Sequence, residues 1–175
     1  MKLLYILRHG KASGSAPDGG DSDRSLVAEG IRDAGRVGAE CARRGWHPAR
    51  ALVSPAQRAT MTYDFFDHAF RAGGGPPIIA TEESALYLAT PEDLHEQLAL
   101  LDPGVPSALI VGHNPGVHAL TFALAGPHLV PPFERLTLDF PTATLVALRC
   151  ATDDWGDIAP QNTEIEGVIF ARDLA

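Results

Sequence analysis

The sequence predicts an α/β fold: a three-layer α/β/α sandwich around a mostly parallel central sheet. Four short apolar runs, at 2–7, 51–53, 78–80 and 108–111, are each followed by a segment of helical character. Repeated strand–helix alternation of this kind buries a parallel sheet beneath helices on both faces. The chain has 175 residues, 45% of them hydrophobic and 21% charged, which suits one domain spanning 1–175 that needs no cross-links.

Each element has its own signal. Lys2 to Leu7 is apolar enough for a fully buried strand, and residues 10–25, rich in Gly, Ser and Asp, form a loop. Leu26, Ile31, Ala34, Val37, Cys41 and Ala42 recur at helical spacing over 26–44, with Gly45 as the stop. Ala51 to Val53 is the second strand. Pro55 suits the first turn of a helix reaching about Arg71. Residues 73–77 (Gly-Gly-Gly-Pro-Pro) break the chain before a third strand, Ile78 to Ala80. Pro91 opens a helix to about Leu101, and Ala108 to Val111 is the fourth strand. Gly112 to Pro115 turns into a helix over Gly116 to Ala125. Residues 126–134 are a Pro-rich loop. Leu136 to Phe140 and Leu145 to Arg149 are expected as a hairpin turning at Pro141 and Thr142. Trp155 to Ala159 and Val168 to Phe170 are expected as edge strands.

Charge and composition exclude several functions. Lys and Arg total 14 against 22 Asp and Glu, a formal net charge of −8. A nucleic-acid binder would carry a basic footprint, and an anionic membrane surface would repel this chain. No apolar run approaches the 18 residues of a membrane span, and Arg8 ends the N-terminal run too early for a signal peptide. Cys41 and Cys150 form neither a disulfide framework nor a zinc motif. The expectation is a reduced, cytoplasmic protein, with no oligomeric state assigned. Any anionic substrate then requires local concentration of scarce positive charge.

Ligands of such sheets bind beyond the carboxyl ends of the strands. Strand one is followed by Arg8-His9-Gly10-Lys11, strand two by Ser54-Pro55-Ala56-Gln57-Arg58, and strand four by Gly112-His113-Asn114-Pro115-Gly116. Two guanidiniums suit the oxygens of a phosphoryl group, because each offers planar bidentate hydrogen bonding. A neutral imidazole beside them can attack phosphorus and become phosphohistidine. Gly10 lets the backbone turn sharply after His9. A second imidazole, His113, can stabilise charge developing in the transition state. No carboxylate cage for a metal is evident, so neither metal nor cofactor is expected.

These segments resemble the histidine phosphatase superfamily, also called phosphoglycerate mutase-like. Leu7-Arg8-His9-Gly10 matches its RHG signature. Ser54-Pro55-Ala56-Gln57-Arg58-Ala59-Thr60 falls within its SPxxRAxxT segment. Val111-Gly112-His113-Asn114 matches its second histidine, and Leu26, Gly30 and Ala34 match its LxxxGxxxA helix. The matches fall in family order over residues 1 to about 125. The short length, Leu86-Tyr87-Leu88-Ala89, the GHNPG turn and the ending Phe170-Ala171-Arg172-Asp173-Leu174 resemble the SixA-type subgroup of phosphohistidine phosphatases. The resemblance implies that His9 is the nucleophile, within a phosphate pocket of Arg8, Arg58 and His113. Two departures stand out. Many members carry a Glu proton donor where Leu88 stands here, which leaves Glu83 as a candidate donor. Val27 replaces a helix-capping Thr or Ser, with Ser25 as a substitute cap. A missing acid fits an imidazole leaving group, which needs less help than an alkoxide.

Bland explanations compete at each position. Arg8 follows a buried strand, where a charge is rare unless paired. A single His is more often structural, and only the shared placement of His9 and His113 favours chemistry. Arg58 opposes the dipole of its own helix start, which calls for a functional reason. Asn114 either holds a turn or contacts phosphate. Lys11, Glu82 and Glu83 read more readily as solvated loop residues, His118 as packing or a surface position, and Cys41 as core. His47, His68, His95 and His128 receive no role. The functional expectation is a metal-independent phosphatase acting on phosphohistidine in a protein. The alternatives are a phosphatase of a small phosphorylated metabolite and a non-catalytic phosphate-binding module.

Overall fold

The computed structural model describes residues 1–16, 19–125 and 133–174. Six strands form one sheet: β1 (Lys2–Arg8), β2 (Arg50–Val53), β3 (Ile79–Glu82), β4 (Ser107–Gly112), β5 (Thr144–Cys150) and β6 (Thr163–Phe170). Their order is β3-β2-β4-β1-β5-β6. β1 through β4 pair in parallel, and β5 runs antiparallel between β1 and β6. The helices are α1 (Ala28–Arg43), α2 (Gln57–Ala72), α3 (Pro91–Ala99), α4 (Gly116–Ala125) and the one-turn α5 (Arg135–Leu138). The predicted layering and mostly parallel sheet hold.

Strand alternation divides the core in two. Tyr5, Leu7, Val53, Leu109 and Val111 face α1 and α2, meeting Val37, Cys41, Phe66 and Phe70. Leu4, Ile6, Ile110, Val146 and Leu148 face the other way, onto Leu94, Leu98, Val117, Leu120 and Leu124 of α3 and α4. β1 and β4 are central and almost entirely buried, so their carboxyl ends form a rigid platform. Chain crossings tighten it further. A Cβ on Gly38 would lie 2.2 Å from the Phe66 carbonyl oxygen, and one on Gly30 would lie 2.3 Å from that of Lys11. The turn after β1 therefore rests directly on the first turn of α1.

The C-terminal third departs from expectation. Leu136 to Phe140 is not a strand: Arg135–Leu138 is a helical turn, and β5 pairs with β1 instead of forming a hairpin. Leu136 and Phe140 are both buried, and their four-residue spacing fits a helix as well as a strand. Trp155 to Ala159 is not an edge strand either. Trp155–Asp157 is a 3-10 turn that inserts the Trp155 indole into the core, where Nε1 donates to the Val105 carbonyl at 3.0 Å. The last edge strand is β6, longer than Val168 to Phe170. Val27 caps α1 without a side-chain bond, so Ser25 does not replace the missing cap. Of the Pro-rich loop, residues 126–132 lie outside the described residues. Among the described residues, no helix is long and apolar enough to cross a membrane.

Candidate active site

The site forms where β1, β2 and β4 end together. β1 is pinned there on both sides: the His9 amide donates to the Gly112 carbonyl at 3.0 Å, and the Ala143 amide donates to the His9 carbonyl at 3.1 Å. The structure brings Arg8, His9, Arg58 and His113 to one place. The His9 and His113 rings have centroids 5.1 Å apart. Arg8 and Arg58 both lie near enough to the His9 ring to depress its basicity.

The hydrogen bonds of His9 fix its proton. Nδ1 lies 2.7 Å from the Gly10 carbonyl, which can only accept, so Nδ1 carries the hydrogen and Nε2 keeps its lone pair. Burial pushes the His9 pKa down from 6.5 to about 4, with the two Arg side chains reinforcing the shift. The ring is thus neutral at pH 7. The Gly10 amide in turn donates to Thr62 Oγ1 at 2.9 Å, and that hydroxyl donates to the Arg58 carbonyl at 2.5 Å. One buried threonine therefore links the loop bearing His9 to the helix bearing Arg58.

His113 is oriented similarly. Its Nε2 lies 2.7 Å from Ser54 Oγ, and that oxygen already accepts from the Ala56 amide. The Ser54 hydroxyl can donate to Nε2 or accept from it, so this contact orients the ring in either tautomer. Burial, then the neighbouring His9 and Arg58, push the His113 pKa down to about 3. Arg8 donates from Nη1 to the Phe140 carbonyl at 2.7 Å. Arg58, on the first turn of α2, donates from Nη1 and Nη2 to Asp21 at 2.6 and 2.9 Å.

What these groups leave unbonded matters most. Arg8 Nε and Arg58 Nε are buried donors without partners, and His113 Nδ1 is a buried ring nitrogen without one. A buried unmet donor costs about 1–3 kcal/mol, so two guanidinium donors in one site mark a place suited to acceptors brought from outside. A tetrahedral or trigonal-bipyramidal oxyanion supplies them. Neutral imidazole, fixed tautomer and free donors together can carry out nucleophilic attack on phosphorus.

The other candidates lie elsewhere. Glu83 is not at the pocket: its side chain lines a groove with Arg50, Leu52, Leu101 and Val105, beside the end of α3. The chain after β3 turns away because Glu83 is held by the Val53 carbonyl before the 3-10 turn Ser84–Leu86. Leu88 is 61% exposed at a φ of 52°. Asn114 donates from Nδ2 to the Phe140 carbonyl at 3.2 Å, so it braces the same carbonyl as Arg8; its unpartnered atom is Oδ1, an acceptor. Lys11 pairs with Glu29 at the surface, and His118 bonds the Leu136 carbonyl. Sequence reasoning did not single out Asp21, Arg24, Tyr87 or Thr62. The SPxxRAxxT spacing itself reaches Thr62, but nothing in a Gly-Asp-Ser loop distinguishes Asp21 from its neighbours.

Comparison with known proteins identifies the family. A model of the histidine phosphatase superfamily (branch 1) matches residues 4–82, which include Arg8, His9 and Arg58. The uncharacterized protein MT1313 of Mycobacterium tuberculosis is 33% identical over 175 residues, covering 95% of this chain and all of that one. The crystal structure of a putative phosphohistidine phosphatase SixA from Agrobacterium tumefaciens is 27% identical, with a TM-score of 0.80 and 97% of each chain covered. A second putative SixA structure, from Nakamurella multipartitia, shares the fold at a TM-score of 0.79 and 24% identity, covering 97% of this chain and 95% of that one. The chain belongs to the histidine phosphatase superfamily and is a phosphatase.

Proposed function

We propose that the protein dephosphorylates phosphohistidine carried by another protein, through a covalent phosphohistidine on His9. His9 Nε2 attacks phosphorus and the bond from phosphorus to the substrate nitrogen breaks. Water then attacks the phosphorus of phospho-His9, releasing phosphate and restoring the imidazole. The Nε–H groups of Arg8 and Arg58, and His113 in its Nδ1–H tautomer, bind the three equatorial oxygens. The observation that carries the substrate class is that neither Glu83 nor Asp21 offers His9 a proton-donating carboxyl group, while Asp139, the carboxyl group felt by Arg8, pairs with Arg172. Glu83 faces another groove. Asp21, the carboxyl group on Arg58, is held at a pKa of about 2, first by the Tyr87 hydroxyl and also by Arg58 and Arg24. It is ionised and has no proton to give. A phosphoimidazole protonated on its other ring nitrogen leaves as neutral imidazole and needs none, whereas an alkoxide does. Arg8 and His9 are also partly exposed, which suits a phosphoryl group presented by a protein surface.

The test compares kcat/KM on a phosphohistidine peptide and on a set of sugar phosphates. A preference of at least about 100-fold for phosphohistidine is expected, the usual worth of a general acid that only the alkoxide would need. A preference for sugar phosphates overturns the substrate class. His9→Ala should abolish turnover of both kinds of substrate, and retained turnover would remove His9 as the nucleophile.

A further inference from the structure

The guanidinium of Arg58 is gripped from outside by one residue of the first loop. Asp21, in the 3-10 turn Asp21–Asp23, takes Nη1 on its carbonyl oxygen and Nη2 on Oδ2. The same Oδ2 accepts from the Tyr87 hydroxyl at 2.8 Å, and Oδ1 accepts from Arg24 Nε at 2.9 Å. Tyr87 stands edge-on to His113 with ring centroids 5.7 Å apart, and the Arg58 guanidinium carbon lies 6.0 Å from its ring centre. Arg58 is only 2% exposed, while the Asp21 side chain is 49% exposed.

We propose that Asp21 is a positioning residue for phosphoryl transfer. It clamps the outer edge of Arg58 so that the inner Nε–H faces the phosphoryl oxygens, and it holds Tyr87 against His113. The proposal rests on the function proposed above. A free arginine side chain carries substantial rotamer entropy, which the clamp removes before substrate arrives. A guanidinium has five N–H bonds in a rigid plane, so fixing two on one edge fixes the direction of the others. The edge left over is the one whose Nε is buried and unpartnered. Arg24 balances the second carboxylate oxygen, so Asp21 orients Arg58 without placing an uncompensated negative charge beside the incoming phosphoryl group. A different role, in which Asp21 merely competes with phosphate for Arg58, predicts the opposite sign: its removal would tighten oxyanion binding.

The experiment measures turnover of p-nitrophenyl phosphate and, separately, calorimetric binding of orthovanadate. It uses the wild type, Asp21→Asn, Tyr87→Phe, Arg58→Ala and the Asp21→Asn/Arg58→Ala double variant. Asp21→Asn is expected to lower kcat by about 10- to 100-fold and to weaken vanadate binding about tenfold, with KM moving less, because alignment counts most in the transition state. In the Arg58→Ala background the same substitution should change neither quantity more than about twofold, since its partner is gone. Tyr87→Phe keeps the clamp and should lose no more than about threefold. Unchanged or tighter vanadate binding by Asp21→Asn overturns the proposal. So does a rise in KM alone, an equal loss in both backgrounds, or a larger loss in Tyr87→Phe than in Asp21→Asn. A wild type that binds vanadate but hydrolyses no phosphohistidine overturns the function proposed above and leaves the vanadate comparison to decide the role of Asp21. A wild type that binds no vanadate overturns both.

Discussion

Replacing Gly30 with alanine should destabilise the protein and slow it at the same time. Gly30 lies in the first turn of α1, where its backbone crosses the turn after β1. An alanine Cβ would lie 2.3 Å from the Lys11 carbonyl oxygen and 2.7 Å from the Lys11 nitrogen, where ordinary contact begins at 3.4 Å. The overlap is with backbone on both sides, so no side chain can swing away, and the loop must move by about 1 Å. Overpacking of this kind costs about 1–3 kcal/mol. The gain in helix propensity from Gly to Ala returns about 1 kcal/mol. The net loss is about 1 kcal/mol, or a Tm about 3 °C lower for a chain of this size. Catalysis should suffer more. Lys11 and Gly10 follow His9 directly, and a displacement of about 1 Å in a reacting group costs about 100-fold. Gly35→Ala is the control on the same helix, because its Cβ would meet only Ala69 Cβ and the Phe65 carbonyl, both at 3.9 Å. That variant should gain up to about 1 kcal/mol and keep full activity. Thermal melts and p-nitrophenyl phosphate turnover measure both effects. Gly30→Ala melting at or above wild type with turnover within twofold would refute the idea that this crossing positions His9.

Two further outcomes follow from the site. His9 and His113 are neutral in the folded protein because burial lowers their pKa values from 6.5 to about 4 and about 3. The unfolded chain therefore takes up protons first as pH falls, and the stability these residues allow is complete above pH 6.5 and lost progressively toward pH 4. A His9→Asn variant should show a shallower fall in unfolding free energy between pH 6.5 and 4 than wild type, by on the order of 2 kcal/mol at pH 4; parallel curves would show that His9 is not held neutral. Leu88, exposed and at a φ of 52°, should tolerate glycine with a stability gain of about 0.5 kcal/mol, because only the left-handed backbone strain is relieved. A loss above about 1 kcal/mol in a urea titration would mean that Leu88 makes packing contacts instead.

Much of the framework was legible because its signals are local. β1 and β4 read as strands from uninterrupted apolar runs, and α1 from the spacing of Ala34, Val37 and Cys41. The grouping of Arg8, His9, Arg58 and His113 was legible because parallel strands bring their carboxyl ends together, whatever loops intervene. The segment from 136 to 140 was not legible, since two buried residues four apart satisfy either period. Its path is set by what it must reach: the Phe140 carbonyl serves both Arg8 and Asn114.

The sequence by itself determined the layers, the parallel order of the first four strands' ends and the residues that meet there. Only the tertiary structure decided which nitrogen of His9 carries its proton, which donors stay free and which carboxyl group reaches Arg58. Ser54 and His113 are 59 positions apart, Gly10 and Thr62 are 52, and Asp21 and Arg58 are 37. Hydrophobic periodicity acts over a turn or two of chain, whereas these contacts depend on where loops close after the core has packed. Such closure leaves no periodic trace: Asp21 differs from Asp23 only in the direction its side chain takes across the site.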